Sequence, residues 1–177
     1  MEFSTLIKER RSVRAYREAE ITHEELLGIV KDATMAPSWK NMQASRCYVV
    51  ESPEKVAAFR EGALPGYNQN STERASAYIV TTFVRDTVGF ADGKPQTELG
   101  NGWGTYDLGL HDAYLVLAAR NAGFDTLIMG LRNVDFIRET LSIPKEEMIV
   151  SVIALGKRAL DPPLRPRKEL EETVKFF

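Results

Sequence analysis

Cysteine and histidine are almost absent: one Cys, at position 47, and two His in 177 residues. A single cysteine excludes an intrachain disulfide framework, and so few soft ligands argue against a Cys/His zinc site. Cys47 lies in a strand pattern and reads as a small core residue rather than a nucleophile. No apolar run approaches the roughly 20 residues of a membrane helix. The opening Met-Glu-Phe-Ser has neither the basic nor the apolar region of a signal peptide, so a cytoplasmic location is expected. Net charge is −2, so no global field favours nucleic acid, and any anion site must be local. Basic residues are not interleaved with aromatics as a nucleic-acid surface needs. There is no repeat, no G-x-G-x-x-G fingerprint and nothing resembling a Ser-His-Asp set. What remains is 44% hydrophobic and 27% charged, which predicts one globular domain over 1–177 burying roughly 70% of its unfolded surface.

Periodicity and caps divide the chain. Phe3 to Glu9 reads as a short helix, and Ala15-Tyr16 leads into a polar turn. Thr22-His23-Glu24-Glu25 has the form of a capping box. The helix it opens carries Leu26, Leu27, Ile29, Val30 and Ala33, and stops at or before Ala36-Pro37. Pro37 to Gln43 is a loop by composition. Arg46 to Val50 reads as a strand, Ser52-Pro53-Glu54 opens a helix running to about Glu61, and Gly62 to Asn70 reads as loop. Ala77 to Val84 reads as a strand buried on both faces. Arg85 to Gly102 has the weakest pattern and is a candidate lid or surface loop. A long helix from about Gly104 to Asn121 is apolar around most of its circumference and so must be buried nearly all round. A second subunit would cover it, and so would a central place in a monomeric core. A strand at Thr126–Met129, a helix from about Val134 to Leu141 capped by Asn133, and a strand from Met148 to Leu155 ending at Gly156 follow. Strands alternating with helices indicate an α/β or α+β layered domain.

Two basic clusters stand out from this frame. Arg10-Arg11-Ser12-Val13-Arg14 places three guanidiniums and a hydroxyl within five residues, where the first helix gives out. Arginine carries a permanent charge and a planar fork of donors suited to phosphate oxygens. Basic residues closing a helix also offset its dipole, and the residues alone leave both roles open. Near the other end, Arg165 and Arg167 flank Pro166. Proline holds the preceding residue out of helix, and residues two apart in extended chain point the same way. Arg10, Ser12 and Arg14 share that spacing, so the two clusters are suited to answer each other across one anion.

Further motifs follow in order: Ala36-Pro37-Ser38-Trp39-Lys40-Asn41-Met42-Gln43, Asn70 ahead of the second strand, Trp103 to Gly109 with Leu117 to Gly123, Ile128-Met129-Gly130-Leu131, and Arg165-Pro166-Arg167-Lys168. Together with Arg10–Arg14, over nearly the whole chain, they resemble the FMN-dependent nitroreductase family. The resemblance implies an α+β fold with a mixed central sheet of about four to five strands flanked by helices. It implies a homodimer with its long buried helix at the interface, and a C-terminal segment, about 157–177, extending onto the partner. It also implies FMN sites between subunits: Arg10, Ser12, Arg165 and Arg167 at the phosphate, Arg11 among the cofactor-binding residues, Arg14 and Asn70 at the pyrimidine edge, and Met129 and Gly130 at the ring edge near N5. Pro37, Ser38, Trp39 and Asn41 would come from the partner.

The implied reaction has two halves, in which NADH or NADPH reduces FMN and a nitroaromatic, quinone or similar small acceptor is reduced in the same pocket. The flavin carries that chemistry, which accounts for the missing catalytic triad and metal ligands. Deiodinase-like or other reductive chemistry on the same scaffold, and flavin storage without turnover, are the alternatives. Two positions depart from the family pattern. Glu73 stands where a Lys is frequent, which would remove a positive charge near the pyrimidine edge. Trp39 replaces a small residue, and either narrows the site or packs at the interface.

Overall fold

The fold is described from a computed structural model covering residues 1–177. Helix α1 (Phe3–Glu9) stops at Arg10, whose backbone is already extended (φ −60°, ψ 130°). Strand β1 (Tyr16–Arg17) stands where the sequence suggests only the approach to a turn. Helix α2 (His23–Ala33) begins with the expected capping box: the Glu25 amide donates to Thr22 Oγ1 at 3.1 Å, and the Thr22 amide donates to Glu25 Oε2 at 2.8 Å. Strand β2 (Ser45–Val50) and helix α3 (Pro53–Ala63) match their predicted places. Helix α4 (Gly66–Ser71) does not: a Gly/Pro/Asn/Gln composition reads as loop, yet its Asn68 and Ser71 are buried. Strand β3 (Ala77–Val84) is buried along almost its whole length, as expected.

Residues 85–101 form an ordered turn region rather than a free lid. A two-residue hairpin, β4 (Phe90–Ala91) with β5 (Lys94–Pro95), sits at its centre. Asp86 and Asn101 exchange two hydrogen bonds of 2.8 Å, and Trp103 Nε1 donates to Thr97 Oγ1 at 2.7 Å. These tie the segment to the start of α5 (Gly102–Asn121). Strand β6 (Asp125–Met129), helix α6 (Val134–Thr140), strand β7 (Glu147–Arg158) and a single turn α7 (Leu170–Thr173) complete the chain.

Five strands form the central sheet. Strand β7 is its spine, pairing antiparallel with β3, β6 and β1, while β2 pairs antiparallel with β3. The parallel part of the expected mixed sheet is one bridge between Ser12 and Thr126. Strand β7 runs two residues past Gly156, the predicted stop. Gly156 permits close approach instead, since a Cβ there would lie 2.7 Å from the Tyr16 ring. The segment able to leave the sheet therefore begins at 159 rather than 157.

Alternation along the strands builds two cores. On β7, Ile153 and Leu155 face α2 and α5 with Ile79, while Val152 and Ala154 face the α3 and α6 side with Tyr78 and Val80. Helix α5 is thus buried along one face at Leu108, Leu115, Val116 and Ala119. Its other face is open in the single chain, with Tyr106 and Tyr114 59% and 43% exposed. The all-round apolar pattern therefore exceeds what one chain covers.

Candidate functional site: an arginine cleft and a strained loop

The two basic clusters meet. Arg10, Arg11, Ser12 and Arg14 line one cleft of about 470 Å³ with Arg165 and Arg167, closed by Tyr67 and Pro162 to Leu164. Two local features aim the N-terminal set. Arg10 is extended because α1 has ended, and the Val13 amide donates to the Thr126 carbonyl at 3.0 Å. Val13 is consequently buried, while Ser12 and Arg14 on either side of it are exposed. Five guanidiniums share the cleft with no carboxylate. Burial lowers the pKa of Arg10 from its ordinary value, and Arg167 and Arg11 push it the same way. Arg11 Nε is buried without a partner. The arrangement is unfavourable when empty and suited to a multiply charged anion.

An ionic anchor the sequence did not reveal stands behind the cleft. Buried Asp125, at the start of β6, accepts from Arg158 Nε at 2.9 Å, from the Arg158 amide at 3.0 Å and from Arg120 Nη1 at 3.3 Å. Arg120 also donates to Glu9 Oε2 at 2.9 Å, and Arg158 Nη2 to the Glu9 carbonyl at 3.1 Å. The hydrogen bond that Arg158 donates to Asp125 is the main reason its pKa is raised. This network fixes the end of α1, one residue before Arg10, to the end of β7, where the tail departs.

Helix α4 links the cleft to the end of β6. Its Tyr67 lines the cleft, and the neighbouring Asn68 is buried and donates from Nδ2 to the Leu131 carbonyl at 3.2 Å. Asn70 is exposed on the same helix. Met129 is buried, whereas Gly130 is exposed with open space where a Cβ would stand. Glu73 is also exposed and lines a different depression, with Glu18, Arg60 and Arg74. It does not line the arginine cleft.

Pro37, Ser38, Trp39 and Asn41 lie apart from the arginines. Pro37 and Ser38 line a smaller cavity of about 200 Å³ with Arg46, Asp107 and His111. The loop is strained: Lys40, Asn41 and Gln43 have φ of 48°, 57° and 49°. Left-handed backbone in non-glycine residues costs of order 1–3 kcal/mol each and persists where surroundings enforce it. Here the Gln43 amide donates to Ser38 Oγ at 3.1 Å and the Trp39 amide to Asp107 Oδ2 at 2.8 Å. One chain therefore does not unite all the expected site residues.

The model of the nitroreductase family matches residues 7–157. The chain belongs to the nitroreductase family. A Bacillus subtilis (strain 168) protein with the provisional name NAD(P)H nitroreductase YdgI is 27% identical over 89% of each chain. A chloronitrobenzene nitroreductase of Comamonas testosteroni is 26% identical, covering 97% of this chain and 95% of its own. Among solved structures, a provisionally named nitroreductase of Exiguobacterium sibiricum 255-15, in complex with FMN, aligns with a TM-score of 0.80 at 27% identity. That alignment covers all of this chain and 98% of the other.

This nitroreductase-family chain keeps its one thiol out of the chemistry. Cys47 Sγ lies 3.9 Å from His111 Nε2, and His111 Nδ1 lies 3.3 Å from Asp112. The geometry resembles a relay, yet burial, helped by the Asp112 charge, pushes the Cys47 thiol up to about 12. At pH 8 only about one thiol in 10,000 would then be ionised. Cys47 is expected to resist a disulfide-exchange reagent in the native protein and to react on unfolding. An unfolded thiol ionises near 8.5. The stability due to the neutral buried thiol is therefore complete below that pH and is lost as pH rises toward 12. Urea titrations across that range should show a shallower alkaline loss for Cys47→Ala than for wild type.

Proposed function

We infer that the chain is an FMN-dependent NAD(P)H oxidoreductase acting on a nitroaromatic, quinone or similar small acceptor. One observation carries this reading: five arginines and a serine converge on a cleft that holds no carboxylate. A phosphate monoester has the charge and oxygen geometry that such a donor set lacks a partner for. Arg10, Ser12, Arg165 and Arg167 would hold the phosphate of FMN, with Arg11 beside them. Arg14 would sit toward the pyrimidine edge and favour the negative charge gained there on reduction. Glu73 faces elsewhere, so its charge would leave that edge to Arg14. Asn70, exposed on α4, would hydrogen-bond the pyrimidine edge. Gly130, following Met129, would let backbone approach the ring edge closely. When bound, the flavin supplies the two-electron chemistry that no side chain here provides.

A second copy completes the site in this reading. Pro37, Ser38, Trp39 and Asn41 stand apart from the arginine cleft of their own chain, so the partner's loop would supply them. The open stripe of α5, from Tyr106 through Leu110 and Tyr114 to Leu117, would be the dimer surface. Exposed Leu164, Leu170, Phe176 and Phe177 give the segment from 159 onward apolar groups to lay on the partner.

The purified protein is expected to be yellow, to release FMN rather than FAD on denaturation, and to be dimeric by light scattering. Anaerobic NADH or NADPH should bleach it, and a quinone or nitroaromatic should restore the colour. A colourless protein that takes up no added FMN would overturn the reading, and a flavin-loaded monomer would overturn its interface site.

A further inference from the structure

Trp39 is held at two points. Its amide donates to Asp107 Oδ2, 68 positions away on α5, at 2.8 Å. Its indole packs on Trp103, with ring centroids 4.8 Å apart and planes tilted by 56°. Trp103 is itself fixed, by its Nε1 bond to Thr97 and by Gly89, where a Cβ would lie 2.8 Å from the ring. Tyr106 meets Trp103 edge-on, with ring centroids 5.7 Å apart. Asp107 is 4% exposed and has no cationic partner in the chain, so the bond to Trp39 is what its buried carboxylate is used for. The three left-handed residues lie within four positions of Trp39. A loop so strained, with a bulky ring at its head, needs an external hold to keep one conformation.

We propose that Asp107 is a positioning residue that fixes Trp39, so that the Trp39 indole, backed by Trp103, forms an aromatic wall favouring flat aromatic acceptors. The inference rests on the reading of the 37–41 loop as part of the partner's flavin site. A planar ring gains by stacking on a rigid indole, because the loop's ordering cost is met before the acceptor arrives. A non-planar acceptor gains nothing from such a wall.

The test compares wild type, Asp107→Ala and Asp107→Asn, each loaded with FMN. The asparagine side-chain oxygen still accepts the Trp39 amide, so Asp107→Asn separates positioning from charge. For Asp107→Ala, KM for menadione should rise about tenfold, with kcat and the rate with ferricyanide, both measured at saturating FMN, changed by less than about twofold. Asp107→Asn should restore the menadione KM. The two tryptophans of the chain are this pair, so their exciton couplet in circular dichroism should be lost in Asp107→Ala and kept in Asp107→Asn. An unchanged menadione KM in Asp107→Ala overturns the proposal, as does an equal loss with ferricyanide. A wild type that binds no flavin overturns the function reading and the acceptor wall together. That failure is recognisable because the couplet would still respond to Asp107→Ala.

Discussion

Arg10→Ala is expected to weaken FMN binding about 10- to 150-fold while making the flavin-free protein slightly more stable to heat. The affinity loss follows from one charge-assisted hydrogen bond worth about 1.5–3 kcal/mol. The stability gain follows from the empty cleft. Arg10 is partly buried beside Arg167 and Arg11, and burial and both neighbours disfavour its charged form. Removing one guanidinium relieves that repulsion, and adding phosphate opposes it. Arg167→Ala should behave in the same way. Because each single variant also relieves the repulsion between the two guanidiniums, the double variant should lose at least as much affinity as the sum of the single losses. Flavin fluorescence titration and apoprotein melting curves measure the two effects separately. Unchanged FMN affinity would refute the phosphate role, and a less stable apoprotein would show that Arg10 has a structural partner instead.

The opposite signs matter because a structural arginine behaves otherwise. Arg158 spends its donors on Asp125 and the Glu9 carbonyl. Removing it should cost stability with or without flavin. The sequence does not distinguish these two kinds of arginine. What it offers is spacing: Arg10, Ser12 and Arg14 at intervals of two, and the same interval across Pro166. That pattern was sufficient to bring the termini together at one anion site, because extended backbone translates spacing directly into direction.

Where tertiary contacts overrode local preference, the sequence misled. Asp125 is a poor strand former, so β6 appeared to begin at Thr126, yet three donors make a buried aspartate favourable there. Asn68 and Asn70 are equivalent by composition. Only the turn of α4 against Leu131 separates the buried one from the exposed one. Gly156 looked like a terminator because nothing near it in sequence reveals that Tyr16 packs over it. Asp107 gave no signal either, being one acid in a helix, with its partner 68 positions away. The α5 pattern was legible in another sense. Its apolar circumference exceeded what one chain buries, and the open stripe from Tyr106 to Leu117 is the excess.

Asp125→Ala should produce the largest loss of stability of any single change near the cleft. It leaves the Arg158 and Arg120 guanidiniums, each at most one-fifth exposed, without their shared carboxylate. Breaking a buried ionic group by removing one partner costs about 3–5 kcal/mol. At roughly 2–4 °C per kcal/mol for a chain of this size, the melting temperature should fall by about 6–20 °C. The effect should also reach the cleft, although Asp125 does not line it. Arg158, once released, no longer holds the Glu9 carbonyl, and the Ala159 amide bond to the Ala15 carbonyl loses its support. Those two bonds set where Arg10 leaves α1 and where the segment carrying Arg165 and Arg167 leaves β7. FMN affinity measured well below the variant's melting temperature should therefore fall several-fold. A melting temperature within about 2 °C of wild type would show that the two arginines find other partners. Full FMN affinity in a destabilised variant would show that the cleft keeps its geometry without the anchor.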